Sequence, residues 1–176
     1  MATKQAELEA LPEHDHPHTP HRKLVIIAWS GDLDKVWPQM ILATTGGAMG
    51  MDTTVFFTFW GLFSLVKQDV RVTGDNWMQK MVALMDHPGM EHLKLGKMNF
   101  AGAGPKMMQH LAKQHDVASP AELLEMARDL GVKLVPCQMT MDLLGLKRED
   151  MIDGLGDPVG ATTMLLEAQD AITLFI

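Results

Sequence analysis

Leu24-Val25-Ile26-Ile27-Ala28-Trp29 is an uninterrupted apolar run of strand length. It predicts a strand buried on both faces, as in a parallel sheet. Ser30-Gly31-Asp32 then turns the chain toward a helix that Asp32 or Asp34 can cap. Pro38 falls inside that helical pattern, where its missing N–H and its ring predict a kink or a restart. Gly46, Gly47 and Gly50 predict the end of the helix. Thr53 to Phe59 is β-branched and aromatic, a second strand. Two strands joined through a helix make a βαβ unit, whose crossover is expected to be right-handed.

Beyond Val66 the pattern is less regular. Trp77, Met81, Leu84 and Met85 have helical spacing within 76–86, and His87-Pro88-Gly89 breaks it. Residues 66–98 read as an insertion or lid, the first part of a helical insertion that extends to about residue 115. Gly102-Ala103-Gly104-Pro105-Lys106 opens a helix running to about His115. Glycines before a helix can cradle a phosphate. Here neither dinucleotide nor P-loop spacing is present, and a tight turn with close packing is the simpler reading. Ser119-Pro120-Ala121-Glu122 is a capping box, followed by a helix that buries Leu123, Met126, Ala127 and Leu130 and stops at Gly131. A strand over 132–137 runs into another helix, a last helix begins near Asp157-Pro158, and 171–176 is a final strand. This order predicts an α/β fold: a flavodoxin-like three-layer sandwich, with a parallel sheet of four or five strands and helices on both faces. Residues 22–176 are expected to form the single domain.

Residues 1–21 are polar, with His14, His16, His18, His21 and three prolines. They carry too little apolar surface to offset their ordering entropy and are expected to be a disordered tail. Its histidines could hold Zn²⁺ or Ni²⁺ adventitiously, and neither a functional metal nor a cofactor is expected. The formal net charge of −7 argues against nucleic acid or an anionic membrane surface as a partner. The apolar stretch from Thr53 to Val66 is interrupted by Thr58, Gly61 and Ser64 and is shorter than the ~20 residues of a spanning helix. It reads as a strand and a turn of helix, compatible at most with peripheral membrane association. Sixteen methionines suit irregular cores and adaptable interfaces.

Cys137 is the one cysteine of the chain. It cannot form an internal disulfide, and no signal-peptide pattern opens the sequence, so a reducing cytoplasm is expected. The thiol falls at a strand-to-helix junction, the edge at which parallel sheets bind ligands, where helix-end amides favour a thiolate. Were the first and third strands neighbours, in a 2-1-3-4 order, Cys137 would face the Ser30-Gly31-Asp32 loop. Thr140 can cap the helix or donate a hydroxyl hydrogen bond, and Asp142 is expected to cap amides. A lone cysteine excludes a dithiol mechanism within one chain. Single-thiol chemistry remains: persulfide carriage, peroxide sensing, or acyl transfer, which would need a base from His87, His92, His110 or His115. A different class also stands open, a module that binds a small anion or nucleotide and keeps Cys137 as a buried structural residue.

Several segments resemble the DsrE/DsrF-like family. They are Ser30-Gly31-Asp32-Leu33-Asp34-Lys35, the run Phe56-Phe57-Thr58-Phe59-Trp60-Gly61-Leu62, Lys97-Met98-Asn99-Phe100 with Gly102 and Gly104, Gly131 to Val135, Cys137-Gln138-Met139-Thr140-Met141-Asp142 with Gly145, and Leu174-Phe175-Ile176. The match covers about residues 23–176. It is closest to the longer subgroup found beside rhodanese and TusA-type sulfur carriers. The resemblance implies a flavodoxin-like, usually oligomeric protein whose cysteine carries sulfane sulfur as a persulfide in cytoplasmic sulfur trafficking, a sulfurtransferase-like activity. The active cysteine maps onto Cys137. Rhodanese-like and TusA-like proteins become the expected donor and acceptor, and Ser30, Gly31, Asp32, Asn99, Gly102, Gly104, Gln138, Met139, Thr140 and Asp142 become the candidate cleft.

Overall fold

The structure is a computed structural model, and it describes residues 22–68, 89–90, 93–96 and 103–176. The His-rich segment 1–21, the expected helix over 76–86, His87, His92, Asn99 and Gly102 lie outside the described residues.

Four strands form one parallel sheet: β1 (Lys23–Ala28), β2 (Asp52–Phe57), β3 (Lys133–Pro136) and β4 (Ala171–Phe175). The helices are α1 (Leu33–Ala48), α2 (Ala103–Gln114), α3 (Pro120–Asp129), α4 (Gln138–Leu144) and α5 (Ala161–Glu167), with 3₁₀ turns at Phe59–Leu65 and Arg148–Asp150. This is the predicted α/β class. The order across the sheet, however, is β3-β2-β1-β4. β2 therefore lies between β1 and β3, and the expected adjacency of the first and third strands does not hold. Two successive right-handed crossovers in one direction put α1 and α3 on the same face. Leu24, Ile26, Ala28, Val55, Phe57 and Leu134 meet Val36, Met40 and Ala43 of α1 and Leu123, Leu124 and Ala127 of α3 in the larger core. The return from β3 to β4 runs over the other face. There Val25 and Phe56 pack with Cys137 and with Met164 of α5.

Several local expectations change in detail. α1 is one continuous helix through Pro38. Pro38 stands one turn inside the N-terminus, so its missing donor costs the helix a single bond, back to Asp34. The helix also runs through Gly46 and Gly47. A Cβ on Gly46 would come within 2.6 Å of Leu24 and 2.7 Å of Thr53, so glycine serves close helix-sheet packing there. Asp32 occupies the N-cap of α1 without a side-chain capping bond. Ser119 makes the predicted capping box with Glu122, accepting from the Glu122 amide at 3.3 Å. Yet α3 buries Leu123, Leu124 and Ala127, while Met126 and Leu130 are exposed. Among the described residues no helix is long and apolar enough to cross a membrane.

Candidate site around Cys137

Cys137 follows β3 directly and is the N-cap of α4, with extended backbone at φ −80° and ψ 115°. Its amide donates to the Phe57 carbonyl at 2.9 Å, which extends the β2–β3 ladder by one residue. Side chains alternate along a strand, so Cys137 shares a face with Lys133 and Val135. That face is the one covered by α5. The thiol is 5% exposed, and Val25, Phe56 and Met164 complete its cluster. A second segment closes over it, because Gln138 donates its amide to the Val159 carbonyl at 3.0 Å and Val159 donates to the Pro136 carbonyl at 3.1 Å.

α4 is anchored by Thr140, which is buried. The Thr140 hydroxyl lies 3.0 Å from the Thr58 hydroxyl and accepts the Phe59 amide at 3.2 Å. Register explains the meeting: Phe57 pairs with Pro136, so the residues that follow, Thr58 and Cys137, lie side by side at the sheet edge. The amides of Met139 and Thr140, in the first turn of α4, have no hydrogen-bond partner among the described residues. They are the donors toward which an N-cap side chain points. No capping bond from the Cys137 sulfur forms in this conformation.

The predicted cleft residues separate into groups. Gln138, Met139, Thr140 and Asp142 stand with Cys137 on α4. Asp142 accepts from the Gln138 side chain at 2.8 Å, in place of the expected amide capping. Ser30, Gly31 and Asp32 lie beyond β1, separated from the end of β3 by β2. Asp32 donates its amide to the Ser30 hydroxyl at 3.2 Å and bonds Lys35 at 3.3 Å. Burial works against the Asp34 carboxylate, but the neighbouring Lys35 ammonium and the Gly96 amide outweigh it and hold Asp34 below its ordinary value. Gly104 is buried in the first turn of α2. His110 is on α2 and bonds Gln114 at 3.1 Å, while His115 lines an apolar cavity of about 510 Å³ with Leu33, Trp37, Ile41 and Leu111. That cavity adjoins α1, on the opposite face of the sheet from the thiol. Neither histidine is placed as a base for Cys137. Among the described residues no three His, Cys, Asp or Glu side chains gather as a metal site.

Sequence reasoning did not find Thr58, Val159 or Met164 as neighbours of the thiol. Thr58 carries a weak signal, as the polar residue ending an apolar strand. Val159 and Met164 carry none without the path of the chain after β3.

Comparisons with known proteins agree with this fold. Residues 20–175 match the DsrE/DsrF/DrsH-like family. The chain is 39% identical over 156 residues to the uncharacterized protein YrkE of Bacillus subtilis, covering 88% of this chain and 97% of that one. It is 34% identical over 158 residues to the sulfur carrier protein DsrE2 of Allochromatium vinosum, covering 88% and 98%. The crystal structure of the ychN protein from E. coli superposes with a TM-score of 0.54 at 12% identity, over 88% of this chain and 99% of that chain, a likeness of fold. A parallel sheet ending in a lone cysteine at a helix start, matched along nearly its whole length, places this chain in the DsrE/DsrF/DrsH-like family.

Proposed function

We propose that this protein carries sulfane sulfur as a persulfide on Cys137. The observation that carries this reading is the position of Cys137: the one thiol of the chain caps a helix at the C-terminal sheet edge, in a relative of a sulfur carrier protein. The Cys137 thiolate attacks the outer sulfur of a donor persulfide. The donor S–S bond breaks, the donor leaves as a thiolate, and Cys137 holds the transferred sulfur. An acceptor thiolate then attacks that outer sulfur and releases Cys137 as a thiolate. No net oxidation occurs, so no redox cofactor is needed. The unpaired amides of Met139 and Thr140 would stabilise the anion at each stage. Because the sulfur is covered in the resting chain, transfer requires the Met164 and Val159 cover to yield as a partner docks.

Within this reading the donor and acceptor are rhodanese-like and TusA-like proteins, the setting is the cytoplasm, and the chain works as a homo-oligomer. Loading with a small persulfide donor followed by intact mass measurement is the test. Wild type is expected to gain one sulfur atom and Cys137→Ser none. Equal gain by both, or no gain by wild type, ends the proposal.

A second reading rests on burial. At 5% exposure Cys137 would also suit a structural role beside a ligand-binding surface elsewhere. A thiol inert to alkylation in the folded chain, with Cys137→Ser otherwise unchanged, would select it.

A further inference from the structure

The cluster around the Cys137 sulfur is apolar throughout, built on Val25, Phe56 and Met164. The charged groups of the elements that pack there lie elsewhere. Lys23, Asp52 and Lys133 stand at the opposite ends of β1, β2 and β3, and Lys133 is held by Asp52 at 2.9 Å and by Glu167 of α5 at 3.7 Å. On α4, Asp142 accepts from the Gln138 side chain. Asp153 and Asp157 of the covering segment and Asp170 after α5 are exposed. Among the described residues a Cys137 thiolate therefore has no cation beside it, and neutral donors must hold its charge.

The Thr58–Thr140 pair contains such a donor. Two hydroxyl hydrogens meet at a single 3.0 Å contact, so one of them is spare. The Thr140 oxygen already accepts the Phe59 amide at 3.2 Å. Thr140 is 3% exposed, whereas Thr58 is half-buried. Were Thr58 the donor of the pair, the Thr140 hydrogen would be buried with no acceptor among the described residues, a costly arrangement. With Thr140 as donor, the spare hydrogen belongs to Thr58. Every donor then points one way: Phe59 N–H to Thr140 Oγ1, Thr140 O–H to Thr58 Oγ1, and Thr58 O–H onward. Each bond in such a chain polarises the next. The turn that delivers the Phe59 amide is strained. Thr58 is extended at φ −134°, and the bulky Phe59 follows in the left-handed region at φ 46°.

Beyond Thr58 lies the sulfur. Phe57 pairs with Pro136, and Cys137 donates its amide to the Phe57 carbonyl at 2.9 Å, so Thr58 and Cys137 are neighbours across the two strands. Alternation puts both side chains on the face of Phe56 and Val135. Adjacent strands are about 4.8 Å apart, so one rotamer change brings hydroxyl and sulfur into contact. We propose that Thr58 donates its hydroxyl hydrogen bond to the Cys137 thiolate, with Thr140 as the positioning residue that orients it. This role rests on the persulfide reading above and refines it. Charge sits on the inner sulfur twice, before loading and again as acceptor attack releases it. In the persulfide between, the charge lies on the outer sulfur. A donor fixed on the inner sulfur raises the thiolate population for loading and stabilises the leaving sulfur on unloading.

The test uses the full chain. Cys137 is its one thiol and it has no tyrosine, so the ultraviolet absorbance of the thiolate titrates this group alone. With Cys137→Ser as the blank, Thr58→Val is expected to move the absorbance transition to higher pH. The thiolate fraction on its rising limb should fall roughly tenfold, the loss of one hydrogen bond to a charged group. Thr58→Ala is expected to match Thr58→Val, and Thr58→Ser to return to the wild-type position. Thr140→Val is expected to move the transition the same way by less, because Thr58 keeps its own hydrogen. An unmoved transition in Thr58→Val and Thr58→Ala, with a lowered urea midpoint, makes Thr58 merely structural and overturns the assignment. A displacement at least as large in Thr140→Val also overturns it, since the donor would then be Thr140. Sulfur loading is scored separately by mass. A displaced transition with no sulfur gained by wild type removes the persulfide reading and leaves Thr58 as the donor to the thiolate.

Discussion

The hydroxyls of Thr58 and Thr140 lie 3.0 Å apart, tying the end of β2 to the helix that Cys137 begins. The same Thr140 oxygen accepts the Phe59 amide. Two chain segments 82 residues apart are thus held in one geometry by one side chain, and that geometry fixes the start of the helix whose N-cap is Cys137.

Thr140→Val should therefore cost about 1–3 kcal/mol, because it strands the Phe59 amide and the Thr58 hydroxyl while keeping the volume. Thr140→Ser should recover most of the loss. Urea unfolding measures the stability, and sulfur loading of Cys137 should slow in the valine variant alone. Equal stability in all three proteins would show that the hydroxyl pair holds nothing.

Met164 is the one buried residue of α5 and covers the thiol. Met164→Ala should lower stability by about 2 kcal/mol, the low end for a buried methionine on so short a helix. Alkylation of Cys137 in the folded chain should at the same time accelerate several-fold. Rates equal to wild type would place the route to the sulfur elsewhere.

Glu122 accepts the Ser119 amide at 2.7 Å and the Ser119 hydroxyl at 2.8 Å. The Ser119 amide above all, then its hydroxyl, holds the Glu122 carboxyl below its ordinary value of 4.5. A lowered folded value means the contribution is complete above the unfolded value and is lost as pH falls through the folded one. The melting-temperature gap between wild type and Glu122→Ala should be constant near neutrality and close in acid, below the ordinary glutamate range. A gap that widens in acid would contradict the sign.

Gln39 is fully buried on α1, and among the described residues neither atom of its amide has a hydrogen-bond partner. A buried polar group without a partner costs about 1–3 kcal/mol. Gln39→Met keeps the shape without the polar atoms and is expected to raise the unfolding midpoint. A lower midpoint would mean that packing around the amide outweighs its desolvation.

Much of the fold can be read locally. The strands Lys23–Ala28, Asp52–Phe57 and Lys133–Pro136 are legible because short apolar, β-branched or aromatic runs mark them. The Ser119 capping box is legible because its partners are three residues apart. The faces of α3 were misassigned at Met126 and Leu130, since helical spacing alone does not say how wide the packed stripe is. The Ser30-Gly31-Asp32 loop faces Cys137 directly only if the first and third strands are neighbours, and β2 lies between them.

The residues themselves therefore determined the α/β class, the strand and helix sequence, and the singular place of Cys137 at a strand-helix junction, because each depends on side chains within a few positions of one another. Tertiary structure decided what surrounds that sulfur. Strand order put Thr58 beside it, and the return path over the second face laid Val159 and Met164 on top. Strand order also set β3 and β4 at opposite edges of the sheet. These are contacts between segments far apart in the chain, and their energy depends on register and crossover direction, which no local pattern of apolar and polar residues encodes.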